Sequence, residues 1–126
     1  HNAAAGAVPV PVTTGGAGGG AGAATGAPVF VTRQGNMRKL GRKVKNWQER
    51  WFELDHDRLR YFVRKGGKNK GELVLTKDSS IAVSDMVDHG FALRAAKGRV
   101  LICECSSAQD RNDWMQALWT NIRALS

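Results

Sequence analysis

Charged residues are absent from the first 28 positions, which contain no aspartate, glutamate, lysine or arginine. Alanine and glycine dominate this segment, with a glycine-rich centre between Gly15 and Gly22, and large apolar side chains are scarce. Burial of so little apolar surface cannot offset the entropy that is lost when a chain becomes ordered. We therefore predict a disordered Ala/Gly-rich tail at residues 1–28, ahead of one domain at residues 30–126.

Cysteine is nearly absent as well, since Cys103 and Cys105 are the only two in the chain. Residues two apart on a strand share a face, where a disulfide between them would be strained. We predict two reduced thiols that pack in the core of a cytosolic protein. His56 and His89 are isolated in sequence and no second cysteine pair exists, so no metal site is predicted.

Long apolar runs and catalytic motifs are also missing. No run approaches the length that spans a bilayer, so we expect any membrane contact to be peripheral. The sequence has no glycine-rich phosphate loop and no nucleophile with an evident base, and Asp55-His56-Asp57 is better explained as a polar turn. The sequence therefore predicts neither an enzyme nor a cofactor site.

Positive charge is what the domain has in excess. The chain contains 19 lysines and arginines against 11 aspartates and glutamates, for a formal net charge of +8. All of these residues lie between Arg33 and Arg123, so the predicted domain carries the whole excess. Such a balance favours partners that are rich in phosphate or acid, namely membranes, nucleic acids or acidic proteins.

Short segments rich in β-branched and aromatic residues follow Val29, and turn-forming clusters such as Gly66-Gly67-Lys68-Asn69 separate them. This pattern is typical of an antiparallel sheet or barrel. The predicted strands are residues 30–40, 47–54, 59–64, 72–75, 80–84, 91–95 and 99–105.

Over the last twenty residues the spacing of apolar side chains changes from a strand pattern to a helical one. Ser107 to Asp110 fits a helix capping box, and Trp114, Leu118 and Ile122 then recur at three- and four-residue steps. The pattern predicts one amphipathic helix, whose wide apolar face only the sheet can cover.

A candidate binding site follows from strand alternation. On the second predicted strand, Gln48 and Arg50 share a face with Phe52 and Leu54. If the two apolar residues belong to the core, the two polar ones lie at the open end of the barrel. Lys39 on the first strand reaches the same end, because the two strands run in opposite directions.

Two basic loops flank this end of the barrel. Residues 41–46 place three cations around the aliphatic side chain of Val44, and residues 60–70 add five basic residues and no acid. Arginine offers paired donors to phosphate and lysine offers a compact charge. Most basic runs are only solvated surface, and that interpretation stays open. The clustering of these charges in two loops favours phosphate.

The stretches 35–41, 47–54 and 59–62 resemble the opening of pleckstrin-homology domains, and Cys103 followed by a helix bearing Trp114 resembles their ending. The resemblance covers nearly everything after residue 30. It implies a mainly β fold, in which a seven-stranded, partly open antiparallel barrel of two packed sheets is capped by one C-terminal α-helix.

The resemblance also implies lipid-binding residues. Lys39, Arg50, Tyr61 and Lys70 match positions that contact phosphoinositides in the family, and Lys43 matches a basic residue of the first loop. Glutamine stands where the family has a basic residue two positions before Arg50, so tight binding of a highly phosphorylated inositol lipid is not expected. The candidate lipid-binding residues are Lys39, Arg42, Lys43, Val44, Lys45, Gln48, Arg50, Tyr61, Lys68 and Lys70.

The Ala/Gly-rich sequence ahead of such a domain is similar to the acylated pleckstrin-homology proteins of apicomplexan parasites. This similarity implies a sensor of phosphatidic acid on secretory organelles that promotes exocytosis. We expect a non-catalytic, monomeric module that binds anionic lipid, with phosphatidic acid favoured, on the cytosolic face of the plasma membrane or a secretory organelle.

Three alternatives stay open. The domain could prefer a phosphoinositide, or it could bind a protein along an edge or groove, as folds of this shape often do. Nucleic-acid binding through stacking on Trp47 or Trp51 ranks last, because aromatic residues in a strand pattern are usually core or sheet-face residues.

Overall fold

The computed structural model describes residues 28–126, so the predicted tail lies, except for its last residue, outside the described residues. Within these described residues, seven strands and one α-helix, α1 (Ala108–Ala124), make up the fold, with a single 3-10 turn at Ala96–Gly98. The strands are β1 (Arg33–Leu40), β2 (Trp47–Asp55), β3 (Arg58–Phe62), β4 (Asn69–Val74), β5 (Ser80–Ser84), β6 (Gly90–Arg94) and β7 (Val100–Glu104).

All neighbouring strands are antiparallel, in the order β4-β3-β2-β1-β7-β6-β5. β1 joins the two halves of this sheet. It pairs with β2 along its whole length and with β7 at Arg38↔Glu104 and Lys39↔Cys103. β4 and β5 remain at the two edges, so the barrel is only partly closed. The predicted architecture of seven antiparallel strands and a C-terminal helix is confirmed.

Strand alternation determines the core. Met37, Phe52 and Leu54 point inward and are almost completely buried, and Phe91 and Leu93 face them from the other half of the sheet. Burial of each such side chain stabilises the fold by roughly 1.5–3 kcal/mol relative to leaving it in water. The prediction that Phe52 and Leu54 belong to the core is confirmed.

α1 covers the open side of the barrel. Ser107 begins the helix as predicted, because its hydroxyl accepts the backbone N–H of Asp110 at 3.0 Å. Trp114 is 1% exposed and is among the largest fully buried side chains of the described chain. Gly35 on β1 lies against the indole, where an added Cβ would make ordinary van der Waals contact with Trp114 Cζ2 at 3.8 Å.

Asn121 connects α1 by hydrogen bonds to the segment before β1. Its side chain is fully buried, accepts the backbone N–H of Val31 at 2.8 Å, and donates to the carbonyls of Val31 and His56 at 2.9 Å each. Because both backbone groups of Val31 bond to Asn121, the first strand begins at Arg33 rather than at the predicted residue 30. No pattern in the sequence indicated this contact.

The two cysteines are free and buried, in agreement with the core role predicted for them. Cys105 donates its S–H to the Met37 thioether at 3.5 Å. Burial raises the pKa of the Cys103 thiol well above its usual range and that of Cys105 to about 12. Both side chains are therefore protonated, unreactive parts of the apolar interior.

Within residues 28–126 no helix is long and apolar enough to cross a bilayer. The same residues contain no group of three potential His, Cys, Asp or Glu ligands for a metal ion.

Trp114→Ala is expected to lower the free energy of unfolding by about 3–5 kcal/mol, because it leaves a large void between α1 and the sheet. Urea denaturation followed by far-UV circular dichroism measures this loss. Trp119→Ala is the matched control, since Trp119 lies on the same helix, is only half-buried, and has Arg123 over its ring at 5.6 Å. Equal losses in the two variants would contradict the capping role of Trp114.

Candidate functional site

The candidate site lies at one end of the barrel, which we call the mouth. It consists of the loop between β1 and β2 (41–46), the end of β3 and the start of β4, and Arg99 reaches it through Tyr61 from beyond the turn between β6 and β7. Lys39, Arg42, Lys43, Tyr61 and Lys70 line a depression of about 670 Å³ at the mouth. The structure thus brings five of the ten predicted residues around one cavity.

The first loop of the mouth has a tight backbone. The N–H of Gly41 donates to the carbonyl of Asn46, and the N–H of Asn46 donates to the carbonyl of Val44, each at 2.8 Å. Gly41 is buried beneath the loop, and a Cβ there would collide with the Val44 carbonyl and lie 2.9 Å from Asn46 Oδ1. This compact base leaves residues 42–45 exposed, and Val44 at the loop apex is 68% exposed.

Lys39 lies at the mouth, as predicted, but its side chain is buried there, with only 4% exposed. It is opposite Gln48 in the β1–β2 register, and its Nζ is 3.5 Å from Gln48 Oε1. Nζ also lies 5.0 Å from the centre of the Tyr61 ring. Burial, followed by the positive charges of Arg99 and Arg50, lowers the pKa of Lys39 below its usual range, although Tyr61 opposes the shift.

Tyr61 forms the floor of the mouth and is 7% exposed. Gly71 pairs with it on the adjacent strand, and a Cβ at Gly71 would overlap the Tyr61 ring, at 2.9 Å from Cε1. The ring can lie flat across β4 because residue 71 has no side chain. The sequence placed Tyr61 at the site, whereas the requirement for glycine opposite it became evident only from the structure.

Arg50 shares the inward face of β2, opposite Met37. Its Nη1 donates to the backbone carbonyl of Glu49 at 2.8 Å, and its Nε is buried without a hydrogen-bond partner. Arg50 does not line the depression directly, but its charge is one of those that lower the pKa of Lys39.

Three predicted residues lie away from the floor. Lys45 lines a second, smaller depression of about 250 Å³, together with Arg42 and the outward-facing Val100 and Ile102. Val44 contacts solvent. Lys68 is exposed, and its backbone carbonyl accepts the N–H of Val63 at 2.9 Å, which closes the loop between β3 and β4. These residues surround the floor without forming it.

Sequence reasoning missed Arg99, which follows the turn between β6 and β7. Its Nη2 donates to the Tyr61 hydroxyl at 2.8 Å, and its Nη1 donates to the Glu72 carbonyl at 3.0 Å. The predicted final strand began at residue 99, but alternation along that strand gave no indication that the side chain reaches β3.

Carboxylates neutralise basic residues elsewhere, but not at the mouth. Glu72 binds both Arg58 at 2.7 Å and Arg60 at 3.0 Å, and Arg38 and Arg33 have carboxylate partners of their own. Within residues 28–126 no ion pair involves a basic residue of the mouth. The cations without a carboxylate partner there are Lys39, Arg42, Lys43, Lys45, Arg50, Lys68, Lys70 and Arg99.

The two tryptophans considered for base stacking lie on β2 and are half-buried. Arg38 lies 5.7 Å from the Trp47 ring centre, and Lys65 lies 5.5 Å from that of Trp51. Both rings are therefore engaged by cations of the protein itself. This arrangement disfavours the nucleic-acid alternative, which needs free aromatic faces.

Comparison with known proteins shows which family the described domain matches. A family model described as the PH domain matches residues 31–123. Switch-associated protein 70 of Mus musculus is 30% identical over 105 residues, which are 75% of this chain and 17% of that protein. Differentially expressed in FDCP 6, also of Mus musculus, is 32% identical over 99 residues, which are 74% of this chain and 15% of that protein. The chain thus spans only a small part of these relatives.

Solved structures agree with this match. The human oxysterol binding protein-related protein 11 PH domain is 27% identical, with a TM-score of 0.67 over 77% of this chain and 84% of that one. The C-terminal PH domain of pleckstrin in complex with D-myo-Ins(1,2,3,5,6)P5 is 23% identical, with a TM-score of 0.68 over 75% of this chain and 99% of that one.

Lys39→Met is expected to raise the free energy of unfolding by about 1 kcal/mol, since it removes a buried charge that has no carboxylate partner and keeps the length of the side chain. Thermal or urea denaturation without ligand measures this gain. Lys43→Met is the control, because Lys43 is exposed and its replacement relieves no buried charge. A large loss of stability in Lys39→Met would show that the ammonium is a structural element.

Proposed function

Because the chain belongs to the pleckstrin-homology (PH) domain family, whose members bind lipids or proteins, we propose that this domain docks on anionic phospholipid through its mouth and catalyses no reaction. The proposed occupant of the depression is the phosphate of a lipid headgroup. The proposed location is the cytosolic face of the plasma membrane or a secretory organelle.

The observation that carries this proposal is the set of cations at the mouth that have no carboxylate partner. A protein gains nothing in stability from a buried lysine such as Lys39 without an anion beside it. Phosphate supplies that anion, and lysine and arginine both donate to its oxygens. Because four of these cations, Lys39, Arg42, Lys43 and Lys70, line an open depression, an external ligand can reach them.

Membrane docking fits the arrangement of the rim better than capture of a free phosphate does. Basic residues near anionic lipid contribute about 1 kcal/mol each to adsorption. Arg42, Lys43 and Lys45 surround the exposed side chain of Val44 on one loop. Val44 can therefore enter the headgroup layer while the three cations contact lipid phosphates.

Phosphatidic acid is the favoured lipid. The pleckstrin domain of similar fold binds an inositol pentakisphosphate, and a ligand with many phosphates needs many cations. Here Gln48 stands where a further cation is expected, which favours a single phosphomonoester with a small headgroup. The proposed role is that of a phosphatidic acid sensor in signalling or regulated exocytosis. A phosphoinositide remains the second candidate ligand.

A protein partner is the second candidate function. Family membership is compatible with it, because PH domains bind lipids or proteins. The clustering of unneutralised charge at the mouth favours lipid, since a bare apolar groove would be expected for a peptide partner.

Wild-type protein is expected to sediment with phosphatidylcholine vesicles that contain phosphatidic acid, more than with charge-matched vesicles containing phosphatidylserine or a phosphoinositide. Lys39→Ala with Arg50→Ala should abolish sedimentation and keep the fold, because it removes the two inward-facing cations of β1 and β2. The matched control is Lys77→Ala with Arg111→Ala, which removes the same charge away from the mouth.

Retained binding in the Lys39/Arg50 variant would exclude the mouth as the site. Preference for one phosphoinositide would assign that lipid instead. Absence of sedimentation with every vesicle would favour the protein-binding function.

Val44→Glu is expected to weaken vesicle binding by about tenfold or more, because it places a carboxylate where the loop enters the headgroup layer. Binding of soluble glycerol 3-phosphate, followed by NMR, should change much less. Val83→Glu is the control, because Val83 is 38% exposed on the edge strand β5. Equal losses for vesicles and soluble headgroup in Val44→Glu would argue against insertion.

A further inference from the structure

Position 48 on β2 contributes no positive charge to the mouth. Gln48 lies directly opposite Lys39 in the register and faces the same interior. Its amide oxygen is 3.5 Å from Lys39 Nζ, so it offers Lys39 a weak neutral acceptor and adds no positive charge. A phosphate at this place would meet Lys39 and no cation from position 48.

Arg99 approaches Tyr61 from the opposite half of the barrel, where it lines a neighbouring depression with Arg42 and not the one that Lys39 lines. The turn before it is tight, since Lys97 and Gly98 have φ angles of 62° and 73° and the N–H of Ala95 donates to the Arg99 carbonyl at 2.7 Å. This turn reverses the chain over a few residues. As a result the Arg99 side chain extends across β4 to Tyr61 on β3, a residue 38 positions away in sequence.

The positive charge of Arg99 has no negative partner in the described domain. Its two hydrogen bonds go to neutral acceptors, the Tyr61 hydroxyl and the Glu72 carbonyl, and its Nε is buried without any partner. Arg99 lies 5.9 Å from the centre of the Tyr61 ring, and Lys39 lies 5.0 Å from the same centre. Two cations therefore share one tyrosine and no carboxylate.

We propose that Arg99 is a specificity-determining residue, which supplies to the mouth the positive charge that Gln48 does not, and thereby selects a doubly charged phosphomonoester. This inference rests on the proposed lipid-binding function and deepens it. Tyr61 connects the two cations. Because its hydroxyl oxygen accepts from Arg99, the hydroxyl proton is left to donate to a phosphate oxygen. One phosphate then interacts with Lys39 and with the Tyr61 hydroxyl, and the positive charge of Arg99 stabilises it electrostatically.

The experiment compares wild-type protein with four variants in vesicle sedimentation with phosphatidic acid in phosphatidylcholine, and in NMR titration with glycerol 3-phosphate. Arg99→Gln should bind both probes about tenfold more weakly than wild type, the effect expected from loss of one charge-assisted contact. Lys97→Gln removes an equal charge from the exposed side of the same turn and should change binding by less than about threefold. A third variant combines Arg99→Gln with Gln48→Lys.

Rescue is the decisive result. If Arg99 acts through its charge, a lysine at position 48 should restore most of the lost affinity, because it places a cation beside Lys39 from β2. Arg99→Lys should likewise keep most of the affinity. A purely structural role, in which Arg99 only holds Tyr61 and Glu72 in position, would leave the combined variant as weak as Arg99→Gln, and that result would overturn the inference.

Two further outcomes separate this inference from the proposed function. If the wild-type protein binds phosphatidic acid and the Arg99→Gln variant binds it equally well, only the proposed role of Arg99 is overturned. Wild-type protein that binds neither probe would overturn lipid binding at the mouth, and the role of Arg99 with it. Melting temperatures of the four variants, compared with that of the wild type, verify that each variant is folded.

Discussion

The pairing of β1 on both of its edges is the constraint on which the rest of the structure depends. A strand with neighbours on both sides can direct its side chains only inward or outward, in strict alternation. Met37 faces the core, so Lys39 must face inward too, and a shift of register by one residue would expose every core position of the strand. The register with β2 and β7 thus forces an ammonium group into the interior at the mouth. The burial of Lys39 is a consequence of the fold and not a local accident of its loop.

Tyr61 offsets part of the free-energy cost of burying Lys39 without a carboxylate beside it. Its ring lies below Lys39 and its hydroxyl accepts from Arg99, so one side chain interacts favourably with both cations. A nearby aspartate would stabilise the two charges better, but it would also repel a phosphate and fill its place. The aromatic ring is a weaker partner that an anion does not have to displace. Gly71 is part of the same arrangement, because a side chain there would push the ring out of the floor.

Most of the fold and about half of the site could be predicted from sequence, for physical reasons that are local. Strand alternation identified Phe52 and Leu54 as core, the helical repeat identified Trp114, and charge clustering identified the loop 41–46. Arg99 and Asn121 could not be found in this way, because their partners lie 38 and 90 residues away and depend on how the halves of the barrel meet. The burial of Lys39 was also missed, since alternation gives the direction of a side chain but not how much chain covers it.

The distribution of carboxylates explains how the proposed anion site is compatible with a stable domain. Glu72 holds two arginines on the outer face, and Asp110 holds Arg33 beside α1, so positive charge far from the mouth is neutralised. At the mouth, burial followed by the positive charges of Arg99 and Arg50 lowers the pKa of Lys39 below its usual range. In the proposed function, an anion bound there would offset the repulsion among these cations, so ligand binding and folding stability would be coupled at Lys39. A lipid surface would offset it at the rim as well, because its phosphates lie in a plane that the loop 41–46 can meet all at once.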